Sequence, residues 1–317
     1  MSLQNKLVEL KKEISKGVIG QDEMINSILI GLLSNGHILL EGVPGLAKTT
    51  AVKTVANAID LNFKRIQFTP DLLPSDIIGV QIYDLRTNEF KIKKGPIFTN
   101  LLLADEINRA PAKVQSALLE VMQERQVTIA DDTFKLEAPF LVLATQNPIE
   151  QEGAYSLPEA QLDRFMFKIV VSYNSKDEEY EIAKKVTMNS FEEIKKIINK
   201  FDLEELKKEI TNIHMDEELE RYIIDIIDAS RNPKNYDLEE FVDIIHFGAS
   251  PRATIDMFKA VKANAYLRGN DHVTPIDIAM VAKNVLRHRI ILSYEAMAKE
   301  LNVDDVIQKI LEKIAIP

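Results

Sequence analysis

The residue types with the clearest chemical potential lie in a glycine-rich turn that follows a short apolar run. Residues 38–40 are Ile-Leu-Leu, and residues 42–50 read GVPGLAKTT. Backbone N–H groups can converge on phosphate oxygens in such a turn because few side chains crowd it, and the start of a helix adds partial positive charge. Lys48 would neutralise the outer phosphates, and the Thr49 hydroxyl would be a ligand for Mg²⁺. The pattern therefore predicts a phosphate-binding loop.

This loop departs from the common pattern at Ala47, which stands where a second glycine is usual. Alanine can adopt a helical backbone, so the loop is retained if this residue needs no positive φ. The simpler alternative is a turn that ends in a surface lysine. The candidate nucleotide-binding residues of the loop are Gly42, Val43, Pro44, Gly45, Leu46, Ala47, Lys48, Thr49 and Thr50.

Two adjacent carboxylates follow a second apolar run. Residues 101–104 are Leu-Leu-Leu-Ala, and Asp105 and Glu106 come next. Carboxylates at the end of a buried strand are costly unless they meet a cation or a proton, and the alternative is an ordinary acidic turn. Because ligands bind outside the carboxyl ends of parallel strands, we expect both side chains to face the phosphate site. Asp105 suits a Mg²⁺ ligand, and Glu106 suits the base that activates the attacking water.

Three further polar residues occupy positions from which they could reach a bound nucleotide. Asn147 follows the apolar run 140–144, and its amide could hold the attacking water or a γ-phosphate oxygen; the alternative is an ordinary turn. Arg164 either pairs with Asp163 or reaches the γ-phosphate of a neighbouring subunit. Arg252 falls in the first turn of a predicted helix, where the positive helix end disfavours a cation. A phosphate near Arg252 would remove that conflict, and the alternative is a solvated side chain.

Apolar strands alternate with helical stretches in the first half of the chain, which predicts βαβ units around a parallel sheet. The predicted strands are 37–41, 63–68, 100–105, 139–145 and 166–170. The predicted helices are 3–16, 22–33, 48–59, 111–123 and 157–163. Two stretches of alternating polarity, 79–94 and 125–137, predict hairpins that are either surface decoration or loops that project into a channel.

The pattern changes after about residue 171, where helical periodicity replaces the strand signals. We therefore expect a nucleotide-binding domain over residues 1–172, which includes both hairpins, and an all-helical domain over residues 177–317. The predicted helices of this second domain are 177–200, 203–210, 216–229, 237–246, 252–268, 275–284 and 294–314.

Composition excludes several classes of protein. The 317 residues include no cysteine, which rules out disulfides and cysteine-based metal sites. The five histidines are scattered along the chain. No apolar run approaches the roughly 18 residues of a membrane span, and the charged N-terminal stretch is not a secretory signal, so we expect a cytoplasmic protein. The net charge of −10 argues against non-specific nucleic-acid binding, although a local basic channel in an assembly stays open.

Five motifs in this order resemble those of the MoxR family of AAA+ ATPases: GVPGLAKTT, LLLADEINRAP, ATQNP, LPEAQLDRF and GASPRA. The resemblance extends from about residue 17 to 290, and it implies a P-loop α/β core whose five-stranded parallel sheet has the order 5-1-4-3-2, with a helical lid. It implies that Lys48 and Thr49 belong to the Walker A motif and that Asp105 and Glu106 belong to the Walker B motif. It also implies that Asn147 is sensor 1, that Arg164 is the arginine finger and that Arg252 is sensor 2. The turn implied to pack on adenine is formed by Val18, Ile19, Gly20 and Gln21. The two hairpins are similar to the helix-2 insert and the pre-sensor-1 hairpin, and Arg109 receives no role.

The resemblance also implies a function. We expect Mg²⁺-dependent ATP hydrolysis in a ring of this chain, a hexamer, with ATP between the α/β domain and the lid at a subunit interface. Hydrolysis would drive chaperone-like protein remodelling or metal-cofactor insertion. The implied partner is a protein with a von Willebrand factor A domain, and the sequence does not identify the client.

Two other functions share these motifs and stay open. One is the ATPase subunit of a metal chelatase, since such subunits carry the same inserted hairpins. The other is a nucleic-acid-linked motor, which the net charge of −10 disfavours. A non-enzymatic binding module is disfavoured because the catalytic set is intact, and a simple kinase would not need arginines at positions 164 and 252.

Overall fold

The computed structural model describes residues 3–148, 155–188 and 190–317, which divide into two compact units. The first unit is formed by residues 1–158 together with 169–203, and the second by residues 159–168 together with 204–317. This division differs from the boundary predicted near residue 172, because each unit includes a segment that the prediction gave to the other.

The segment before α8 explains most of that difference. The backbone N–H of Lys195 donates to Glu13 Oε1 at 2.9 Å, and that of Ile197 donates to the Ala58 carbonyl at 2.8 Å. Ile198 is buried. The apolar side chains whose spacing predicted a helix over 177–200 thus attach an irregular segment to the first unit, and the helix ends at Thr187.

In chain order the elements begin with α1 (Leu3–Gly17), α2 (Asp22–Ser34), β1 (Ile38–Glu41), α3 (Lys48–Ala58), β2 (Phe63–Gln67), α4 (Pro74–Ile78), β3 (Gly79–Asp84), β4 (Glu89–Lys94), β5 (Leu101–Asp105), α5 (Ala112–Glu124), β6 (Gln126–Ile129), β7 (Asp132–Lys135) and β8 (Leu141–Gln146). They continue with α6 (Glu159–Leu162), β9 (Phe167–Val170), α7 (Lys176–Thr187), α8 (Lys200–Thr211), α9 (Glu217–Arg231), β10 (Ile245–Phe247), α10 (Pro251–Leu267), α11 (Pro275–Leu286), β11 (Ile291–Leu292), α12 (Tyr294–Ala298) and α13 (Val303–Lys313). Short 3₁₀ helices lie at Ile107–Arg109, Pro233–Tyr236 and Glu239–Phe241.

A five-stranded parallel sheet has the order β2-β5-β8-β1-β9. Numbered by these five strands alone, the order is 2-3-4-1-5, which confirms the predicted 5-1-4-3-2. The register pairs Gln67 with Asp105 and Glu41 with Gln146, so the carboxyl ends of the strands lie along one edge. Ligands bind outside this edge in open parallel sheets, and the predicted site residues follow it.

The strands at the centre of the sheet are apolar because both of their faces are covered. The side chains of residues 38–40 and 101–104 are fully buried. Helices on the two faces contribute equally buried residues, among them Leu10, Ile28 and Leu118. Replacing a leucine in such a place by alanine costs about 2–5 kcal/mol, so the core holds the strand ends firmly where the site is built.

Both predicted hairpins are confirmed, as the antiparallel pairs β3–β4 and β6–β7. The first hairpin exposes large apolar side chains, including Leu85 and Phe90. The Lys94 amine lies 4.8 Å from the ring centre of Phe98 and 4.9 Å from that of Phe134 on β7. These cation–π contacts tie the end of the first hairpin to the second.

The second unit is largely helical and contains one small element that the sequence analysis missed. β10 and β11 pair as a two-stranded antiparallel ribbon, so the helix predicted over 237–246 is replaced by the 3₁₀ helix Glu239–Phe241 and by β10. The helix predicted over 294–314 divides into α12 and α13. Glu300 has a φ of 55°, and the Asn302 side chain caps α13 by accepting from the Asp304 N–H.

None of the helices in the described part of the chain combines the length and the hydropathy that a membrane crossing requires.

Candidate active site

The predicted phosphate-binding loop connects β1 to α3, and small residues determine its shape. A Cβ at Gly42 would lie 2.8 Å from the carbonyl oxygen of Val171, so only glycine fits there without a shift. Gly45 has a φ of 89°, a region that glycine adopts without penalty. α3 begins at Lys48. Its first N–H groups, which have no partner within the helix, therefore lie next to the loop together with the positive end of the helix dipole.

Ala47 also has a left-handed backbone, with φ 54° and ψ 18°. We expected alanine to be harmless here only if this residue needed no positive φ. That condition is not met. A Cβ in this conformation costs about 1–2 kcal/mol. The loop thus keeps the shape that the glycine pattern requires and stores local strain beside the site.

A cavity of about 390 Å³ opens at the carboxyl edge of the sheet. Its size falls within the range of small-molecule and cofactor sites. The lining residues are Gly42, Pro44, Gly45, Leu46, Ala47, Lys48, Thr49, Thr50, Arg65, Asp105, Glu106, Thr145 and Asn147. The structure therefore brings together both predicted carboxylates, Asn147 and every predicted loop residue except Val43.

Lys48 is poised over the loop that precedes it. Its Nζ donates to the Gly42 carbonyl at 2.6 Å. Burial lowers the pKa of Lys48 below its ordinary value, and the nearby Asp105 and Glu106 carboxylates oppose that shift. An amine that is half removed from water interacts strongly with an anion, so Lys48 suits the role of phosphate ligand.

Asp105 is held from two sides. Its Oδ1 accepts a hydrogen bond of 2.5 Å from the Thr145 hydroxyl on β8. Its Oδ2 receives Arg65 of β2, with Nη2 at 2.5 Å and Nε at 3.1 Å. The carboxylate therefore has a fixed direction toward the cavity, as a metal ligand needs.

Glu106 lies directly beyond β5 in an unusual backbone conformation, with a φ of 56°. Its N–H donates to Thr145 Oγ1 at 2.9 Å. Its Oε2 accepts from Gln67 Nε2 at 2.8 Å and lies 3.0 Å from Arg109 Nε. The motifs assigned no role to Arg109, and the structure shows that it is an ion-pair partner of the proposed base.

Asn147 stands just past the end of β8 and is largely buried. It lines the same cavity as Lys48 and Glu106. Asn147 therefore lies where it could contact a bound nucleotide, and that contact remains a prediction.

The predicted adenine-packing turn lies in the first unit but not in the lining of this cavity. Val18 is buried, and the Ile19 carbonyl accepts a 2.8 Å hydrogen bond from Asn174 Nδ2. Gly20 has a φ of 70°, and a Cβ there would collide with the Asn174 side chain. Adenine contact at this turn remains a prediction.

The two predicted arginines, Arg164 and Arg252, belong to the second unit. Ser250 caps α10, because its Oγ accepts from the Arg252 N–H at 3.2 Å. Arg252 Nη1 lies 3.3 Å from Asp163 Oδ2, so a carboxylate already offsets the unfavourable helix end. Asp163, considered above as a partner for Arg164, also receives the buried Arg289 at 2.8 Å.

Sequence reasoning missed Arg65 and Gln67 of β2 and Thr145 of β8. Arg65 and Thr145 line the cavity, and Gln67 donates to the Glu106 carboxylate. The signal for Arg65 and Gln67 was present, since polar side chains at alternate positions of β2 lie on one face of the strand. Only the register of β2 against β5, which pairs Gln67 with Asp105, shows that this face meets the carboxylates.

The donor set fits Mg²⁺. The Thr49 hydroxyl and the Asp105 carboxylate line one cavity, and both are hard oxygen ligands. Among the residues that the structure describes, no cluster of three or more His, Cys, Asp or Glu could hold a metal by itself. Magnesium commonly takes few protein ligands and fills its octahedron with phosphate and water oxygens, which matches this arrangement.

The sheet order, the phosphate-binding loop after the first strand and the paired carboxylates after the third define a P-loop ATPase of the AAA+ class. Comparisons with known proteins agree. The family model described as "ATPase family associated with various cellular activities (AAA)" matches residues 37–167, and that of the AAA lid domain matches residues 243–310.

Individual relatives narrow this class to one family. The chain is 48% identical to a protein named Chaperone MoxR1 from Mycobacterium tuberculosis, over 96% of this chain and 81% of that protein. It is 31% identical to Protein MoxR from Paracoccus denitrificans, over 87% of this chain and 86% of that protein. A crystal structure of a Cytophaga hutchinsonii protein, described as a presumed ATPase, matches with a TM-score of 0.95 and 52% identity, covering 99% of this chain and 96% of that chain. The chain belongs to the MoxR family of AAA+ ATPases.

Proposed function

We propose that this ATPase couples Mg²⁺-dependent ATP hydrolysis to chaperone-like remodelling of a protein client. The observation that carries the proposal is the convergence of Lys48, Asp105, Glu106 and Asn147 on one cavity. They supply a cation for phosphate charge, a metal ligand, a base and a hydrogen-bonding amide. Phosphoryl transfer to water requires this set, because its catalysis is mainly positioning and charge stabilisation.

The loop binds the phosphates. The N–H groups at the start of α3 donate to phosphate oxygens, and Lys48 exchanges the Gly42 carbonyl for the outer phosphates. Thr49 and Asp105 would hold Mg²⁺, which neutralises charge on the phosphates when it is bound. The walls of the cavity exclude part of the solvent, so each of these charges acts more strongly than it would in water.

The carboxylate of Glu106 orients and activates water. It accepts a proton as the water oxygen bonds to the γ-phosphorus, while the bond from that phosphorus to the bridging oxygen breaks and ADP leaves. Asn147 donates to a γ-phosphate oxygen or accepts from the water. The left-handed backbone of Glu106 and its bond to Thr145 fix the position from which the carboxylate acts.

Two arginines extend the proposal to an assembly. Arg164 acts on the γ-phosphate of a neighbouring subunit, and a cation supplied in this way raises turnover by roughly 10³–10⁵-fold. When a γ-phosphate is bound, Arg252 leaves Asp163 and contacts a phosphate oxygen instead. A ring follows because each site needs a neighbour, and we propose six subunits, as in the family that the motifs resemble.

The client is a protein. The relative from Mycobacterium tuberculosis carries the word chaperone in its name, which supports remodelling as the output of hydrolysis. Insertion of a metal cofactor into the client is one form that such remodelling takes. We further propose a partner with a von Willebrand factor A domain, on the strength of the family resemblance.

Subunit mixing tests the function and the assembly together. Arg164→Ala and Glu106→Gln proteins should each lose phosphate release while they still assemble. Random mixing in equal amounts should restore activity at about one quarter of the sites, since that fraction pairs an intact base with an intact neighbouring arginine. Arg221→Ala, which removes an exposed arginine of α9, is the matched control and should keep full activity. Full activity of Arg164→Ala alone, or a mixture without recovery, would refute the assembly.

A further inference from the structure

Arg65 forms an ion pair inside the cavity, and the proposed function gives it no role. Two of its guanidinium nitrogens converge on Asp105 Oδ2, at 2.5 and 3.1 Å. The other oxygen of that carboxylate accepts from Thr145 at 2.5 Å. Both oxygens of the proposed metal ligand are therefore engaged by the protein itself.

The register of the sheet explains why Arg65 reaches Asp105. β2 pairs with β5 so that Gln67 lies opposite Asp105, two residues beyond Arg65 on the same face. Arg65 Nη2 also donates to Gln67 Oε1 at 3.0 Å, which fixes the plane of the guanidinium. Ile66 points to the opposite face and is buried. β2 thus places the Arg65 guanidinium next to Asp105 at the end of β5.

The two partners differ in their freedom to move. The Arg65 side chain is 47% exposed, whereas that of Asp105 is 16% exposed. An arginine that is half in solvent can leave its partner at small cost. Asp105, bonded to Thr145 and placed at the end of a buried strand, stays where it is.

Free Mg²⁺ and Arg65 compete for the same carboxylate. The cation would have to displace a guanidinium and then remain close to its positive charge, with few other protein ligands available among the described residues. A nucleotide changes this balance, because its phosphates supply ligands for Mg²⁺ and an anionic partner for the displaced arginine.

We propose that Arg65 is a positioning residue that occupies Asp105 until nucleotide arrives. Mg²⁺ then enters with ATP, and the guanidinium transfers from the carboxylate to the phosphates. This inference rests on the proposed function for the identity of the nucleotide, and it assigns the order in which cation and nucleotide load. Charge stays paired throughout, since one set of ion pairs replaces another.

Mn²⁺ provides a direct probe of the nucleotide-free protein, because its binding is measured by electron paramagnetic resonance without any hydrolysis. Arg65→Gln should bind Mn²⁺ about five- to tenfold more tightly than the wild type, as the carboxylate loses its competitor. Lys64→Gln is the matched control. It removes one positive charge from the adjacent position of β2, on the other face, and should leave Mn²⁺ affinity unchanged.

A second measurement tests whether Arg65 contacts the phosphates of a bound nucleotide. Titration with a fluorescent ATP analogue in the presence of Mg²⁺ should show weaker binding by Arg65→Gln than by Lys64→Gln, by about five- to tenfold. Arg65→Lys keeps the charge but makes only a point contact, so both of its affinities should be intermediate. Thermal melting verifies that each variant is folded.

Equal Mn²⁺ affinity in Arg65→Gln and the wild type would overturn the proposal, and so would an Arg65→Gln protein with unchanged nucleotide affinity. A wild-type protein that binds no ATP analogue would instead overturn the proposed function. The Mn²⁺ comparison would in that case still decide whether Arg65 blocks Asp105.

Discussion

Gln67 on β2 donates a 2.8 Å hydrogen bond to the carboxylate of Glu106, the proposed catalytic base. Arg109 Nε lies 3.0 Å from the same oxygen. The base is thus restrained by a neutral donor from the neighbouring strand and by a cation from the 3₁₀ helix that follows it. Both contacts engage Oε2, so they compete at that oxygen with a water that the base would orient.

Removal of that hydrogen bond should speed hydrolysis. A hydrogen bond of this kind contributes about 1 kcal/mol, so Gln67→Ala should raise the basal rate of phosphate release by about two- to fivefold. The measurement is steady-state phosphate release at saturating ATP. Gln81→Ala, on the exposed face of β3, is the control and should not change the rate. A loss of activity in Gln67→Ala as deep as in Glu106→Gln would mean that Gln67 holds the base in its productive position.

The left-handed backbone of Ala47 predicts that glycine is tolerated or preferred there. Ala47→Gly should raise the free energy of unfolding by about 0.5 kcal/mol, because the relief of about 1–2 kcal/mol of strain exceeds the entropic cost of glycine. Urea denaturation of the nucleotide-free protein measures it. Ala183→Gly in the exposed part of α7 is the matched control, and it should destabilise by about 1 kcal/mol. Destabilisation of both variants to the same extent would contradict the account of the loop.

His37 predicts a loss of stability in acid. Its buried ring bridges two elements, with Nε2 3.0 Å from the Met122 carbonyl and Nδ1 accepting from the Val142 N–H at 3.0 Å. Burial lowers the pKa of His37 to about 4, from an ordinary value of 6.5. The unfolded chain therefore binds the proton more readily, and stability that is complete above pH 6.5 is lost as the pH falls toward 4.

Between pH 7.5 and 5 this group should remove on the order of 2 kcal/mol from the free energy of unfolding. The test compares that difference in the wild type, in His37→Gln and in His214→Gln, whose side chain is exposed. His37→Gln should show a smaller pH dependence than the other two proteins. An identical dependence in all three would show that the buried imidazole does not control acid stability.

The sequence predicted the elements that carry the chemistry because their signals are local. The short apolar runs before Glu41 and Asp105 are typical of strands covered on both faces, and turn residues follow each of them directly. The glycine-rich loop and the paired carboxylates then follow from their positions after those runs. The sheet order required the family resemblance, because periodicity alone does not determine which strands are neighbours.

The features that were missed depend on tertiary contacts. Arg65 and Gln67 acquire their roles only from the register of β2 against β5. Residues 190–199 have apolar spacing that suits a helix, yet they bond to α1 and to the end of α3 and stay irregular. The ribbon of β10 and β11 joins segments about 45 residues apart, which no local pattern announces.

The proposed hydrolysis depends on Glu106, which would activate water in the cavity beside Lys48. Its most direct test measures phosphate release and ATP binding of Glu106→Gln alongside the wild type. The variant should bind ATP with affinity similar to that of the wild type and should release phosphate at least about a hundredfold more slowly. A Glu106→Gln protein that hydrolyses ATP at the wild-type rate would contradict this role of Glu106.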